Sequence, residues 1–482
     1  MAAEAVRWKL LNQPGKQGLA SPACYSSTMA IQAERKAGKS LAKRIMIHNA
    51  DQWEVRGHYD LIVIGAGPAG IGASIAAARR GLRVALVEKA GFAGGTGTQC
   101  CLTLYYGYGV DGKQSTAGIS DEFIRRMDKE GDACFLINGS TETPDYRPIG
   151  KKELTAKVQL QPEMTKVIFN RMLQEAGVEC IFYTHMADVV VDEKRVKAVL
   201  LSGLEGTYLL EADLFADCTG DAMLCYLADP QSVVECTAEN GMHNSLFMNV
   251  AGVTPFDIRY NQQLYRKLYD QGVVPSRAWD YFGFSILLNP GVVQVGLCYN
   301  VGDGVDSRDM TRMDQELREE NYKMVNFLRE YMPGFQHCWL EQTAQRVGVR
   351  VSRCIRGTDT LTEDDLFSDN YRNPVALCWR NIGAHSNKKK FMNDWAKQMN
   401  GCAAIPMGTL IPKDFDNVVV GGRCISADIK LTNAFRMMNT CMTTGEAAGL
   451  LCVIASNKKI QLNGITYNDL LPLLNENGFI LQ

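Results

Sequence analysis

The sequence predicts an α/β fold, a parallel sheet carrying helices, with an inserted α+β region. Three observations predict it. A short apolar run, Leu61–Ile64, is followed by three spaced glycines, an alanine-rich stretch and a second apolar run. Two more largely apolar segments of strand length lie far downstream, at 209–216 and 417–420. Between them, residues 236–400 lose this regularity and hold most of the tryptophans. A continuous apolar run of this length is the pattern of a strand buried on both faces, as parallel sheets require.

Leu61–Ile64 therefore reads as a first strand. Gly65, Gly67 and Gly70 follow, with Pro68 and Ala69 between them. Residues 71–80 form an alanine-rich helix that Gly81 is suited to stop. Residues 83–87 are a second strand ending at Glu88 and Lys89. This is a βαβ unit with its glycines where a dinucleotide needs them. Gly65 permits the tight turn, Gly67 presents no side chain to a diphosphate, and Gly70 lets helix and strand pack closely. The helix start offers unpaired N–H groups and a positive dipole end to phosphate. Glu88 is placed to accept hydrogen bonds from an adenosine ribose. An acid there repels a 2′-phosphate, which disfavours NADP. The Gly94-Gly95-Thr96-Gly97-Thr98 segment just beyond the acid favours FAD over NAD, because simple NAD dehydrogenases lack such a loop.

The remaining elements follow in order. Gln161-Pro162-Glu163 opens a helix with proline in its first turn. Val167, Ile168, Met172 and Leu173 suit its buried face, and Gly177 ends it. Residues 178–183 read as a strand, and 189–191 with 196–201 as a hairpin across 192–195. The run 209–216 leads into Asp217-Cys218-Thr219-Gly220-Asp221, where Thr219 and Gly220 are expected beneath the adenine half of the cofactor. A charged amphipathic helix is expected near 313–331. Arg350 and Arg353, three apart, share a face on a helix or tight turn. Such a pair suits a substrate carboxylate, or equally a salt bridge to the acidic run 363–365. The strand at 417–420 closes on Gly421, Gly422 and Arg423. The small-residue helix 440–455, carrying Thr440 and Thr443, is suited to close helix–sheet packing and to a backbone approach to a flavin.

Composition excludes several classes. The 482 residues are 46% hydrophobic and 22% charged, with a net charge of −2. No global field draws such a chain to nucleic acid. The run Lys388-Lys389-Lys390 reads as a solvated loop. No apolar stretch reaches the roughly 20 residues of a membrane span. The sixteen cysteines are scattered without metal-ligand spacing, which argues against metal or iron–sulfur sites and for reduced thiols in a cytoplasmic protein. Residues 1–57, with nine Lys/Arg against four Asp/Glu, read as an N-terminal extension.

Taken in this order, the pieces resemble the FAD-dependent oxidoreductase family, a mostly uncharacterised microbial branch with the Rossmann-like, glutathione-reductase type of FAD-binding fold. The resemblance covers about residues 58–456, and the arginine motif 348–357 with Leu361-Thr362 and the segment 421–427 are its most specific markers. It implies an FAD-binding domain in two parts, 58–235 and 401–456, a substrate domain at 236–400, and a tail at 457–482. It also implies that Gly65, Gly67 and Gly70 hold the diphosphate and Glu88 the ribose. Gly95, Thr96 and Thr98 would line the way to the flavin. Gly422 and Arg423 would meet the ribityl or diphosphate part, and the start of the Thr440 helix the isoalloxazine. Branch members carry an acid two residues before a histidine after the arginine motif. Here His385 follows Gly383-Ala384, so that acid is missing.

The expected function is hydride transfer between flavin N5 and a small organic substrate, with His385, Arg350 and Arg353 as candidates for orientation or proton transfer. A flavin monooxygenase and a non-catalytic flavin-binding subunit stay open as alternatives. Adjacent Cys100-Cys101 do not match the spacing of disulfide reductases. No second Gly-x-Gly-x-x-Gly is present, so a built-in NAD(P)H site is not expected. The sequence leaves the electron partner and a homo-oligomeric state open.

Overall fold

A computed structural model describes residues 53–482, apart from 107, 111–112, 131–133, 137–156, 237–240, 287–288 and 380–400. His385 and Lys388–Lys390, and residues 1–52 of the N-terminal extension, lie outside the described residues.

The predicted βαβ unit sets the frame. Strand Val55–Ile64 runs into the Gly65–Gly70 turn, helix Pro68–Ala78 follows, and strand Val84–Val87 pairs parallel with the first. Seven strands form the main sheet, in the order Glu179–Ile181, Val84–Val87, Val55–Ile64, Gly206–Asp217, Arg195–Gly203 and His185–Asp192, with Val418–Val420 joining on Gly206–Asp217. The first three pair parallel with one another and with Gly206–Asp217; the last two add an antiparallel ribbon. The long strand Gly206–Asp217 serves both halves. Its first residues pair with Arg195–Gly203 and its last three, Phe215–Asp217, pair parallel with Val418–Val420. A 200-residue detour in the chain thus returns to the same sheet beside the same strand.

Strand interiors behave as their apolar runs predict: Leu61, Ile62, Val63, Leu86 and Val418–Val420 are buried on both faces. The helix Pro162–Glu175 starts where expected, the Gln161 side chain accepting from the amides of Glu163 and Met164. Ile168, Met172 and Leu173 are buried, but Val167 is 40% exposed. At 100° per residue it falls beyond the edge of the apolar stripe.

The alanine-rich helix Pro68–Ala78 is small-sided because it is covered twice. Main-sheet strands lie on one side and helix Met438–Lys458 on the other. A Cβ on Gly445 would overlap the Ala69 carbonyl oxygen, one on Gly449 the Ala73 carbonyl, and one on Gly72 the Met442 carbonyl. The two helices touch backbone to backbone along this stripe.

A second hydrophobic core lies around a four-stranded antiparallel sheet, Phe284–Ile286, Val293–Val295, Met248–Ala251 and Trp339–Thr343. Tyr265 and Leu268 of helix Ile258–Asp270, and Met313, Leu317, Met324 and Leu328 of helix Ser307–Tyr331, pack into it. The sheet was not legible beforehand; the long helix was. No described helix is long and apolar enough to cross a membrane.

One buried acid ties helix Met438–Lys458 to its neighbour. Glu446 accepts from the amide of Ile119 at 2.8 Å, at the start of helix Gly118–Lys129. Burial pushes its carboxyl up from 4.5 to about 8. Between those values the folded chain keeps a proton that the unfolded chain has released, so this group's contribution to stability falls as pH rises and levels off above about 8. Glu446→Gln removes the titration. Wild type is expected to lose stability relative to this variant between about pH 5 and pH 8, by at most about 5 kcal/mol. Denaturant midpoints at the two pH values check it; an unchanged gap between the proteins refutes it.

Candidate functional site

A cleft opens at the C-terminal ends of the parallel strands. That is where open α/β sheets leave a crevice, because successive helices diverge there to opposite faces. The cleft runs from Glu88 and His185, past the Gly65–Gly70 turn, to Tyr106 and Arg436.

The glycine turn is built as its spacing requires. Gly65 has φ of +97° and a Cβ there would stand 2.7 Å from the Cys218 carbonyl oxygen. A Cβ on Gly70 would overlap the Gly65 carbonyl. Gly67 differs: its φ is −75°, and the nearest atom to an added Cβ is the Gly95 Cα at 4.0 Å. The bareness of Gly67 therefore serves the cleft rather than the packing. Gly67 is also the N-cap of helix Pro68–Ala78 and gives it no side-chain acceptor. The first-turn amides are left for a ligand.

Glu88 is buried, with one carboxylate oxygen accepting from Ala66 N at 2.9 Å and the other from Ala90 N at 2.9 Å. Two main-chain donors orient the group and leave further lone pairs for a ribose. Thr184, His185 and Met186 line this end from the hairpin strand. They were missed in the sequence because nothing local marks a hairpin strand as crossing the tip of another strand.

The Asp217–Asp221 turn is knotted by its own acids. Buried Asp217 accepts from Thr219 N, Thr219 Oγ1 at 2.7 Å and Cys225 N. Asp221 forms an ion pair with Arg423 and accepts from Ser352 Oγ at 2.6 Å, and Arg423 in turn reaches Ser352 Oγ at 3.0 Å. Burial pushes the Asp221 carboxyl up, but the Arg423 guanidinium, the Ser352 hydroxyl and Arg346 together hold it below its usual range. Gly422 has φ of +89° and donates its amide to Thr444 Oγ1 at 3.1 Å.

Of the residues expected to touch a cofactor, Gly65, Gly67, Pro68, Ala69, Glu88, Lys89, Gly95, Thr96, Thr219, Gly220, Gly422 and Arg423 line the cleft. Gly70, Thr98, Thr440 and Thr443 do not. Thr98 bonds the Ala93 carbonyl, Thr440 that of Leu377 at 3.4 Å, and Thr443 that of Asn439. Their work is to hold the backbone. From helix Met438–Lys458 and its cap, Met437, Met438 and Cys441 reach the cleft instead.

The two candidate arginines of the 348–357 motif, Arg350 and Arg353, part company. Arg353 opens strand Arg353–Ile355, lies 3.7 Å over the Tyr226 ring, and pairs with Glu235 at 3.3 Å. Arg350 bonds the His243 carbonyl and, at 2.9 Å, Ser245 Oγ. Only Arg353 lies in a strand, and residues 350–352 before it form neither helix nor tight turn, so the shared face does not form. The acidic run is engaged elsewhere, Asp365 by Arg372 and Glu363 by Lys430. Neither Arg350 nor Arg353 lines the cleft; Arg346, Arg423 and Arg436 do. Among the described residues Arg346 Nε is buried without a hydrogen-bond partner. Every described cysteine is a free thiol, and burial pushes Cys101 up to about 11. Among the described residues no group of three or more His, Cys, Asp or Glu side chains could hold a metal ion.

The family model described as FAD dependent oxidoreductase matches residues 60–474. A digeranylgeranylglycerophospholipid reductase of Methanosarcina mazei is 27% identical over 169 residues, 34% of this chain and 38% of the relative. One of the same name from Methanosarcina acetivorans is 27% identical over 170 residues, with the same coverage. The matched part thus spans well under half of these curated relatives. Among solved structures, a geranylgeranyl bacteriochlorophyll reductase-like protein of Thermoplasma acidophilum aligns with a TM-score of 0.47 at 13% identity, over 87% of this chain and 84% of that one. A flavoprotein/dehydrogenase of Cytophaga hutchinsonii gives 0.45 at 13% identity, over 86% and 82%.

Proposed function

This chain belongs to the FAD-dependent oxidoreductase family and is an enzyme that uses FAD; from that premise we propose that it moves a hydride between the flavin and a small organic substrate held at the Tyr106–Arg436 end of the cleft. The observation that carries the placement is the open Cβ direction at Gly67 above an uncapped helix start. A diphosphate is the group that needs both.

The residues fit the cofactor along the whole cleft. The amides at the start of helix Pro68–Ala78 take the diphosphate, and Glu88 takes the ribose hydroxyls. The unpartnered Arg346 Nε is a donor waiting for an anionic acceptor, which the diphosphate supplies. Gly95 and Thr96, with Met437, Met438 and Cys441 across from them, flank the route towards the flavin end. Bound FAD supplies two-electron chemistry at its flavin ring. The protein binds, orients and shields it: apolar Leu102, Leu104 and Val349 line the walls and exclude water from the reacting end.

Three finer readings belong to the same proposal. The fold is of the glutathione-reductase type, supported by the antiparallel ribbon on a parallel sheet and by the return of Val418–Val420 beside Gly206–Asp217. The cofactor domain comprises 58–235 and 401–456 and the substrate domain 236–400, supported by the separate core around the four-stranded sheet. A cytoplasmic setting is supported by the free thiols.

The test is reconstitution with FAD followed by an oxygen-free substrate screen read as bleaching of the flavin band. The expected result is a yellow protein that at least one organic substrate bleaches. A protein that stays colourless after incubation with FAD sinks the placement. A yellow protein that reacts only with oxygen and an aromatic substrate favours a monooxygenase.

A further inference from the structure

Within the 348–357 motif it is Ser352, not Arg350 or Arg353, that bonds to the charged groups of the cleft. Ser352 is buried, and its hydroxyl serves two partners at once. It donates to Asp221 Oδ1 at 2.6 Å and accepts from Arg423 Nη1 at 3.0 Å. Arg423 Nη2 closes the ring on the same Asp221 Oδ1. Asp221 and Arg423 line the cleft, and Ser352 does not. The three come from distant segments. Asp221 follows strand Gly206–Asp217, Arg423 follows Val418–Val420, and Ser352 immediately precedes strand Arg353–Ile355.

We propose that Ser352 is a positioning residue for the cofactor: its hydroxyl fixes the Asp221–Arg423 pair so that the unspent polar groups of both meet FAD in a single geometry. The inference rests on the cofactor placement given above. Arginine carries five N–H donors, and the ring spends two of them. Asp221 Oδ2 accepts no hydrogen bond among the described residues. The pair therefore still has donors and an acceptor to offer the cleft that it lines.

A guanidinium held by one carboxylate oxygen alone can pivot about that contact. A hydroxyl that accepts from the cation and donates to the anion removes the pivot, and each bond polarises the next. The Arg423 and Asp221 side chains are 14% and 18% exposed, so little water competes for these bonds. The serine is itself set on rigid supports. Its carbonyl accepts from Cys236 N at 2.7 Å, and strand Arg353–Ile355 pairs antiparallel with Val233–Glu235. Ile355 N donates to the Cys424 carbonyl at 2.9 Å, one residue beyond Arg423. On the other side a Cβ on Gly220, whose φ is +73°, would stand 3.1 Å from Arg423 Nε, so the guanidinium lies against bare backbone. Donors aimed in advance by such a supporting shell need no ordering when the cofactor arrives.

FAD is titrated into the flavin-free protein and followed by quenching of its fluorescence, with thermal unfolding of each apo-protein alongside. Ser352→Ala is expected to weaken FAD about tenfold. Ser352→Cys keeps the shape but bonds weakly, and is expected to match it, so a folding defect in one variant leaves the other to decide. Ser352→Thr keeps the hydroxyl and is expected to stay within about threefold of wild type. In an Arg423→Met background Ser352→Ala is expected to weaken FAD by less than a further factor of about two, because the group it aims is gone. A merely structural serine would instead lower the unfolding temperature and weaken FAD by the same factor in both backgrounds. The proposal falls if Ser352→Ala and Ser352→Cys bind FAD as wild type does, or if the loss is undiminished beside Arg423→Met. A wild type that takes up no FAD removes the cofactor placement and this proposal together. A wild type that binds FAD while the two losses add in full removes this proposal alone.

Discussion

Gly67→Val is expected to yield a folded protein that does not retain FAD. Glycine fingerprints are usually tested by substitutions that break the turn and the cofactor site together. Here the glycines separate. Gly65 is locked by a positive φ and by the Cys218 carbonyl, and Gly70 by the Gly65 carbonyl, so side chains there disrupt the fold itself. Gly67 has an ordinary extended backbone and an empty Cβ direction. Valine at this N-cap forfeits under about 1 kcal/mol of helix stability. In the cleft its methyl groups occupy the approach to the helix amides. A diphosphate held off by one side chain loses its best hydrogen bonds, and a drop of about a thousandfold in affinity, ~4 kcal/mol, follows. The measurement is the ratio of flavin to protein absorbance, with thermal unfolding of both apo-proteins. A variant that purifies fully yellow would show that the diphosphate lies elsewhere. A variant that fails to fold would show that Gly67 serves packing.

Gly445→Val should fail in the opposite manner, losing stability and flavin together. A Cβ at 445 would overlap the carbonyl of Ala69, a backbone atom that no rotamer change can move. Helix Met438–Lys458 must then lift away from helix Pro68–Ala78. Because Gly421 also packs on Gly445, with an added Cβ standing 3.0 Å from its Cα, the Gly421–Arg423 turn is dragged along. The expected cost is about 3–5 kcal/mol, at the severe end for a single overpacking change. Gly464→Ala is the control, since nothing lies within 4 Å of its Cβ direction and its φ is not positive. Denaturant unfolding with flavin release as a second probe checks both. Coincident loss of the two signals is expected for Gly445→Val, and retained stability would mean that the helix contact is not what fixes the turn.

The two glycines show how far local reading goes. From Leu61 to Glu88 nearly every residue's task followed from spacing, because a turn, a helix start and a short strand are made by neighbours in the chain. The antiparallel ribbon and the two closing strands were legible for the same reason. The arginines were not. Arg350 and Arg353 drew attention because they lie three apart in a glycine-bounded motif, yet they reach different partners. Arg346 and Arg436 carried no local signal, and each matters only through what distant segments bring beside it: Cys100, Asp221 and Glu88 for the first, Arg350 and Arg423 for the second. The Val167 side chain shows the same limit on a smaller scale, since the edge of an apolar stripe is set by how closely the neighbouring element approaches.

The sequence by itself determined the βαβ frame, the glycine turn and the acid that follows the second strand, since backbone sterics and hydrogen-bond geometry act over a few residues. Only the tertiary structure decided which cations face the cleft and which are already neutralised. Charge balance in a low-dielectric cleft depends on distances between segments hundreds of residues apart, and no periodicity in the chain encodes those distances.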